Sequence, residues 1–145
     1  MSTRPRYMAV QGAALIVAVA LTVLGVLGFI PGVAADGLLF GVFAVSVLLN
    51  IVHVVIGIAG FALARTYAAA RAYLLGGGLI YLGLWLYGLL TEGGSDARVL
   101  PLNGADDWLL GGLGAVMLLL AVTLAGQHDP TKRRQRRVHR RATSH

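Results

Sequence analysis

Ser46-Val-Leu-Leu-Asn50-Ile-Val-His53-Val-Val-Ile-Gly57-Ile-Ala-Gly60-Phe-Ala-Leu-Ala64 is the stretch that decides the fold. Read as a helix, at alternating steps of four and three, it collects Ser46, Asn50, His53, Gly57, Gly60 and Ala64 on one stripe. Every member is small or polar, and nearly everything between them is Val, Ile, Leu or Phe. In water the apolar face of a helix turns inward. In a bilayer the small and polar face does, because close backbone approach and interhelical hydrogen bonds replace the hydrophobic drive. The stripe therefore predicts the packing seam of a membrane bundle, with a polar intramembrane pair, Asn50 and His53, inside it.

Composition agrees. The chain has 145 residues, 57% of them hydrophobic and 12% charged, with mean hydropathy +0.77. A soluble domain carries about 25% charged residues, so the polar material for a water-facing surface is missing. The length suits a single domain. There is no cysteine, which removes disulfides, thiol chemistry and Cys-based metal sites.

Four apolar stretches have the length of a membrane span, which takes about 17–25 residues. They cover residues 7–30, 46–64, 68–90 and 108–125. The second belongs to a longer apolar run, 37–64, which as one helix would reach about 42 Å, beyond a hydrocarbon core of about 30 Å. The membrane helix is accordingly expected to begin near Ser46 or Val47, with residues 37–45 as an interfacial or re-entrant lead-in. The first span is longer than the apolar core of a signal peptide and reads as an uncleaved anchor. The expected fold is an all-α bundle of four transmembrane helices, followed by a disordered basic tail over residues 128–145.

Charge sets the orientation. Arg4 and Arg6 precede span one, Arg65 and Arg71 separate spans two and three, and the tail carries Lys132, Arg133, Arg134, Arg136, Arg137, Arg140 and Arg141. The other side holds Arg98 with Asp36, Glu92, Asp96, Asp106 and Asp107. The positive-inside rule places both termini in the cytoplasm and the chain in the cell (inner) membrane. The tail is expected to bind anionic lipid headgroups, at about 1 kcal/mol per basic residue; nucleic acid is an unfavoured partner. Arg140-Arg-Ala-Thr143-Ser144 also has the form of a basophilic phosphorylation site.

Asn50-Ile-Val-His53-Val-Val-Ile-Gly57 parallels Asp107-Trp-Leu-Leu110-Gly-Gly-Leu-Gly114, and both open even-numbered spans from the outer face. This suggests a duplicated two-helix hairpin. Phe40-Gly-Val-Phe43-Ala-Val45, Leu48-Leu-Asn50-Ile-Val-His53, Gly57-Ile-Ala-Gly60, Gly28-Phe-Ile-Pro31-Gly32 and Asp107-Trp108-Leu-Leu-Gly-Gly-Leu-Gly114 together resemble the DUF4383 family of small, four-span, largely actinobacterial membrane proteins. The resemblance runs from about Val10 to Ala125. Its pattern, Asn-Pro-Leu-His-Asn-Leu-Val-His in span two and Asp-Asn-Trp-Leu-His in span four, matches this chain at Asn50, His53, Asp107 and Trp108. The chain departs from it at Ser46-Val47, Leu49 and Leu110, so a three-histidine site would be impossible here. The family carries no assigned activity, and the resemblance implies architecture alone.

Three groups of residues stand out. His53 and Asn50 serve either as interhelical polar glue or as a proton, solute or metal site. Asp106, Asp107 and Trp108 read as an outer-face helix cap and interfacial anchor. The glycines of spans one, three and four read as packing surface. No catalytic constellation and no cofactor site is found. The expected function is a structural or accessory membrane subunit acting through helix contacts, as a homo-oligomer or within a larger complex. The alternative is a small transporter, channel or proton-linked sensor centred on His53 and Asn50.

Overall fold

The computed structural model describes residues 8–91, 100 and 102–124. The basic tail and residues 92–99 lie outside the described residues, and so do the expectations placed on them. Among the described residues four helices carry the fold: α1 (Ala9–Leu27), α2 (Val47–Leu63), α3 (Tyr67–Thr91) and α4 (Gly104–Thr123). Helices α1, α3 and α4 are each long and apolar enough to cross a membrane. At 17 residues, α2 reaches about 26 Å and sits at the short limit of a span.

The surface is that of a membrane protein. Ile16 (72% exposed), Leu90 (77%), Leu119 (62%) and Trp108 (85%) face outward, while the inside holds Gln11, Ser46, Asn50, His53 and Asp106. A soluble fold would distribute these the other way.

Residues 37–45 form neither a helix nor a plain lead-in. They belong to a three-stranded antiparallel meander of β1 (Ala34–Ala35), β2 (Leu38–Leu39) and β3 (Phe43–Ala44). Ala34 pairs with Leu39, and Leu39 in turn with Phe43. Asp36 and Gly37 connect the first two strands with φ of 53° and 75°. That is the mirror-image turn whose twist suits a tight hairpin, and Asp-Gly supplies it most readily. Phe40 and Gly41 make the second turn, also at positive φ.

Helix α2 starts where its cap allows. Ser46 is extended, and its hydroxyl accepts from the Leu49 N–H. Helix α4 starts at Gly104, four residues before the expected 108, so neither Asp106 nor Asp107 is its N-cap. Asn103 is: its side-chain carbonyl accepts from the Asp106 N–H at 2.9 Å, and the Asp106 carboxylate accepts from the Asn103 N–H at 2.9 Å. Two orphan backbone donors are satisfied reciprocally.

The helices pack chiefly as two consecutive pairs, α1 on α2 and α3 on α4. At one end Gln11 Nε2 donates to the Ala64 and Arg65 carbonyls, joining the start of α1 to the end of α2. At the other end the meander is stitched to α4. The Asp106 carboxylate accepts from the Ala44 N–H, and Asn103 Nδ2 donates to the Val42 carbonyl.

A buried polar cluster in a duplicated hairpin

Ser46, Asn50, His53, Gly57, Gly60 and Ala64 all lie on the buried face of the first hairpin. The close approach is made by glycine. A Cβ on Gly57 would fall 2.7 Å from the Thr22 nitrogen and 3.0 Å from the Ala18 carbonyl oxygen. One on Gly25 would fall 2.7 Å from the Asn50 carbonyl oxygen, and one on Gly28 would overlap the Asn50 side chain. Gly60 faces the Tyr73 ring.

The second hairpin repeats this plan. Moved 57 positions along the chain, Leu49, Asn50, His53, Gly57, Gly60 and Ala64 become Asp106, Asp107, Leu110, Gly114, Met117 and Ala121, which are the buried residues of α4. The same step carries the cap Ser46 onto the cap Asn103. Helices α1 and α3 correspond at 60 positions, and the contacts follow. Thr22 against Gly57 becomes Leu82 against Gly114, and Gly28 against Asn50 becomes Gly88 against Asp107. Gly25 against Val54 becomes Trp85 against Gly111, with the large and small partners exchanged. The duplication therefore extends through the three-dimensional contacts.

The two halves differ in what fills the centre. In α2, His53 Nδ1 donates to the Leu49 carbonyl at 2.7 Å, one turn back on its own helix rather than across to a neighbour. That bond fixes the tautomer and leaves Nε2 as the outward-facing nitrogen. His53 Nε2, Asn50 Nδ2 and the Tyr73 and Tyr81 hydroxyls are buried without hydrogen-bond partners. The rings of His53 and Tyr81 lie 5.6 Å apart, tilted by 54°. In the duplicated frame His53 corresponds to Leu110 and Tyr81 to Leu21, both fully buried.

A pocket of about 20 Å³ adjoins the cluster, room for about one water molecule. Asn50, His53 and Asp106 are its polar wall, and Leu24 with the meander residues Leu39, Phe43 and Ala44 closes it. Asp106, 1% exposed, reaches it from α4. Asp107 is also buried but lies against Gly88 in the second hairpin. Trp108 projects outward and contributes nothing to this site. Tyr73 and Tyr81 are not among the site residues expected from the sequence. The available signal was their heptad-and-one spacing in register with the small residues Ala70, Gly77 and Gly78, which puts two hydroxyls on the seam of α3.

A family model described as Domain of unknown function (DUF4383) matches residues 11–123. The chain belongs to this family. The DUF4383 match spans both hairpins, the meander and the cluster, so the duplicated unit is contained within the family domain. No curated protein and no solved structure matches the chain.

Proposed function

We propose that this DUF4383 protein is a structural or accessory subunit of the cell (inner) membrane that acts through helix contacts, with further copies of itself or within a larger membrane complex. The observation that carries the reading is a difference between the lipid-facing surfaces of the two hairpins. The first presents Ile16, Val23 and Val55, at 72%, 49% and 58% exposure. At the corresponding positions the second presents Gly76, Gly83 and Gly112, each exposed and with nothing within 4 Å of where a Cβ would stand. Glycine in an exposed helix costs about 1 kcal/mol relative to alanine, and exposed small residues let a neighbouring membrane helix approach closely.

Both termini belong on the cytoplasmic side. Arg65 and Arg71 lie at the same end of the bundle as the start of α1 and the end of α4, and the basic tail that follows would engage anionic headgroups. A conducting role has less support, because the pocket beside His53 and Asn50 holds about 20 Å³, too little for a solute larger than water. No enzymatic activity is proposed.

The test is extraction from native membranes into lipid nanodiscs, followed by mass measurement and cross-linking. The expected result is a complex of defined stoichiometry, dispersed to single copies by Gly76→Ile with Gly83→Val while helix content is unchanged. Single copies of the unaltered protein, recovered alone in nanodiscs and in several mild detergents, would refute the reading.

A further inference from the structure

We propose that His53 is a reversible proton-binding site, loaded through the pocket it shares with Asn50 and Asp106. This inference is independent of the assembly reading and stands on geometry within one chain. The first observation is orientation. The Nδ1–H bond to the Leu49 carbonyl presents the Nε2 lone pair, 4% exposed as a residue and without a protein partner. A backbone carbonyl holding one ring nitrogen so that the other stays available is how proteins aim an imidazole at a ligand.

The second observation is the pocket. Its volume admits one water molecule, and its polar wall offers an Asn50 amide donor, the His53 lone pair and the Asp106 carboxylate. One water can accept from the first and donate to the other two, giving a path for a proton from the meander side. Loading adds one aqueous proton to the Nε2 lone pair and makes the ring a cation; no other bond changes.

The third is the duplication, in which each hairpin supplies a control for the polar residue of the other. Leu110 and Leu21 occupy the places of His53 and Tyr81, so the fold does not require polar groups there. Buried polar groups left unpaired cost about 1–3 kcal/mol each. His53 is thus a buried polar group at a position where the equivalent helix places leucine, and an ionisable group inside the membrane points to function rather than packing.

The groups facing the ring are few. Tyr81 comes from α3, Asp106 from α4 and Asn50 from α2 itself. Helix α1 contributes Leu24, and the meander Leu39, Phe43 and Ala44, none of them charged. Among the described residues Asp106 is thus the one carboxylate lining the pocket, and in its ionised form it favours the cationic ring.

The experiment uses the full chain in lipid nanodiscs, labelled with ¹⁵N-histidine, with His128, His139 and His145 replaced by Gln. The Nε2 resonance is followed against pH. It should move reversibly from the unprotonated to the protonated position as the pH is lowered, with unchanged circular dichroism. Asp106→Asn should require about tenfold more protons for half-loading, and Leu24→Phe, which fills the pocket, should suppress loading while the Nδ1 bond persists. A ring that stays neutral until the helices melt would overturn the proposal. So would loading that neither variant alters; if Asp106→Asn fails to fold, Leu24→Phe decides alone.

Discussion

In the α1–α2 hairpin, Gly25 of the first helix receives Val54 of the second; in the α3–α4 hairpin, Trp85 of the first helix lies against Gly111 of the second. At Gly57 and Gly114 both hairpins use glycine in the same place, and at the centre the first has Leu21 on α1 with His53 on α2, where the second has Tyr81 on α3 with Leu110 on α4. Backbone approach has been kept by whichever helix supplies the gap, while the identity of the central pair has diverged. Packing geometry and site chemistry are therefore separable in this fold, and substitutions can address them one at a time.

The largest effect is expected where the backbones touch. Gly57→Val and Gly114→Val each drive a side chain into backbone atoms, at the Thr22 and Leu82 nitrogens. Each should destabilise its hairpin by about 3 kcal/mol or more, read by denaturant titration in micelles. Tolerance of one but not the other would break the equivalence of the halves.

Next comes replacement of the polar residue of each hairpin by its leucine counterpart in the other. His53→Leu with Tyr81→Leu removes two unpaired polar groups from the interior together and should leave the protein folded and more stable by about 1–2 kcal/mol. A large loss of stability would instead make the polar pair part of the packing.

The caps should differ by less. Asn103→Ala loses the side-chain arm of the capping box and the bond to the Val42 carbonyl, and should cost about 1–2 kcal/mol. Ser46→Ala loses a single 3.4 Å bond and should cost about 0.5 kcal/mol. Smallest of all, Gly83→Val on the outer face should change single-chain stability by less than about 0.5 kcal/mol, as measured by thermal unfolding of the dispersed protein.

Much of this was legible beforehand, because bilayer burial follows residue size and polarity at helical spacing. The seam from Ser46 to Ala64 and the start of α2 come directly from that rule. The duplication was visible between Asn50–Gly57 and Asp107–Gly114. It was obscured between α1 and α3, where equivalent contacts exchange their large and small members and residue types no longer align.

The meander was hidden by its uniformly apolar strands, which lack an alternating pattern; the Asp36-Gly37 turn was the local clue. The beginning of α4 was misplaced because Asn103 and Gly104 read as loop, although Asn is a strong cap. Of the site, Asn50 and His53 were evident from their cost in lipid. Asp106's part depends on the Ala44 and Asn103 amides, which bring a carboxylate from α4 to a pocket on α2, and no spacing in the sequence encodes that meeting.

The Gln11 side chain, bonded to the carbonyls of Ala64 and Arg65, has a consequence for biosynthesis. It closes the first hairpin with residues that are all translated before Tyr67 opens the third helix, and the contacts of Gly25, Gly28 and Gly57 likewise need nothing downstream. The nascent chain can therefore enter the bilayer two helices at a time, each pair laterally released as a finished piece. Asp106, arriving with the fourth helix, completes the pocket wall last.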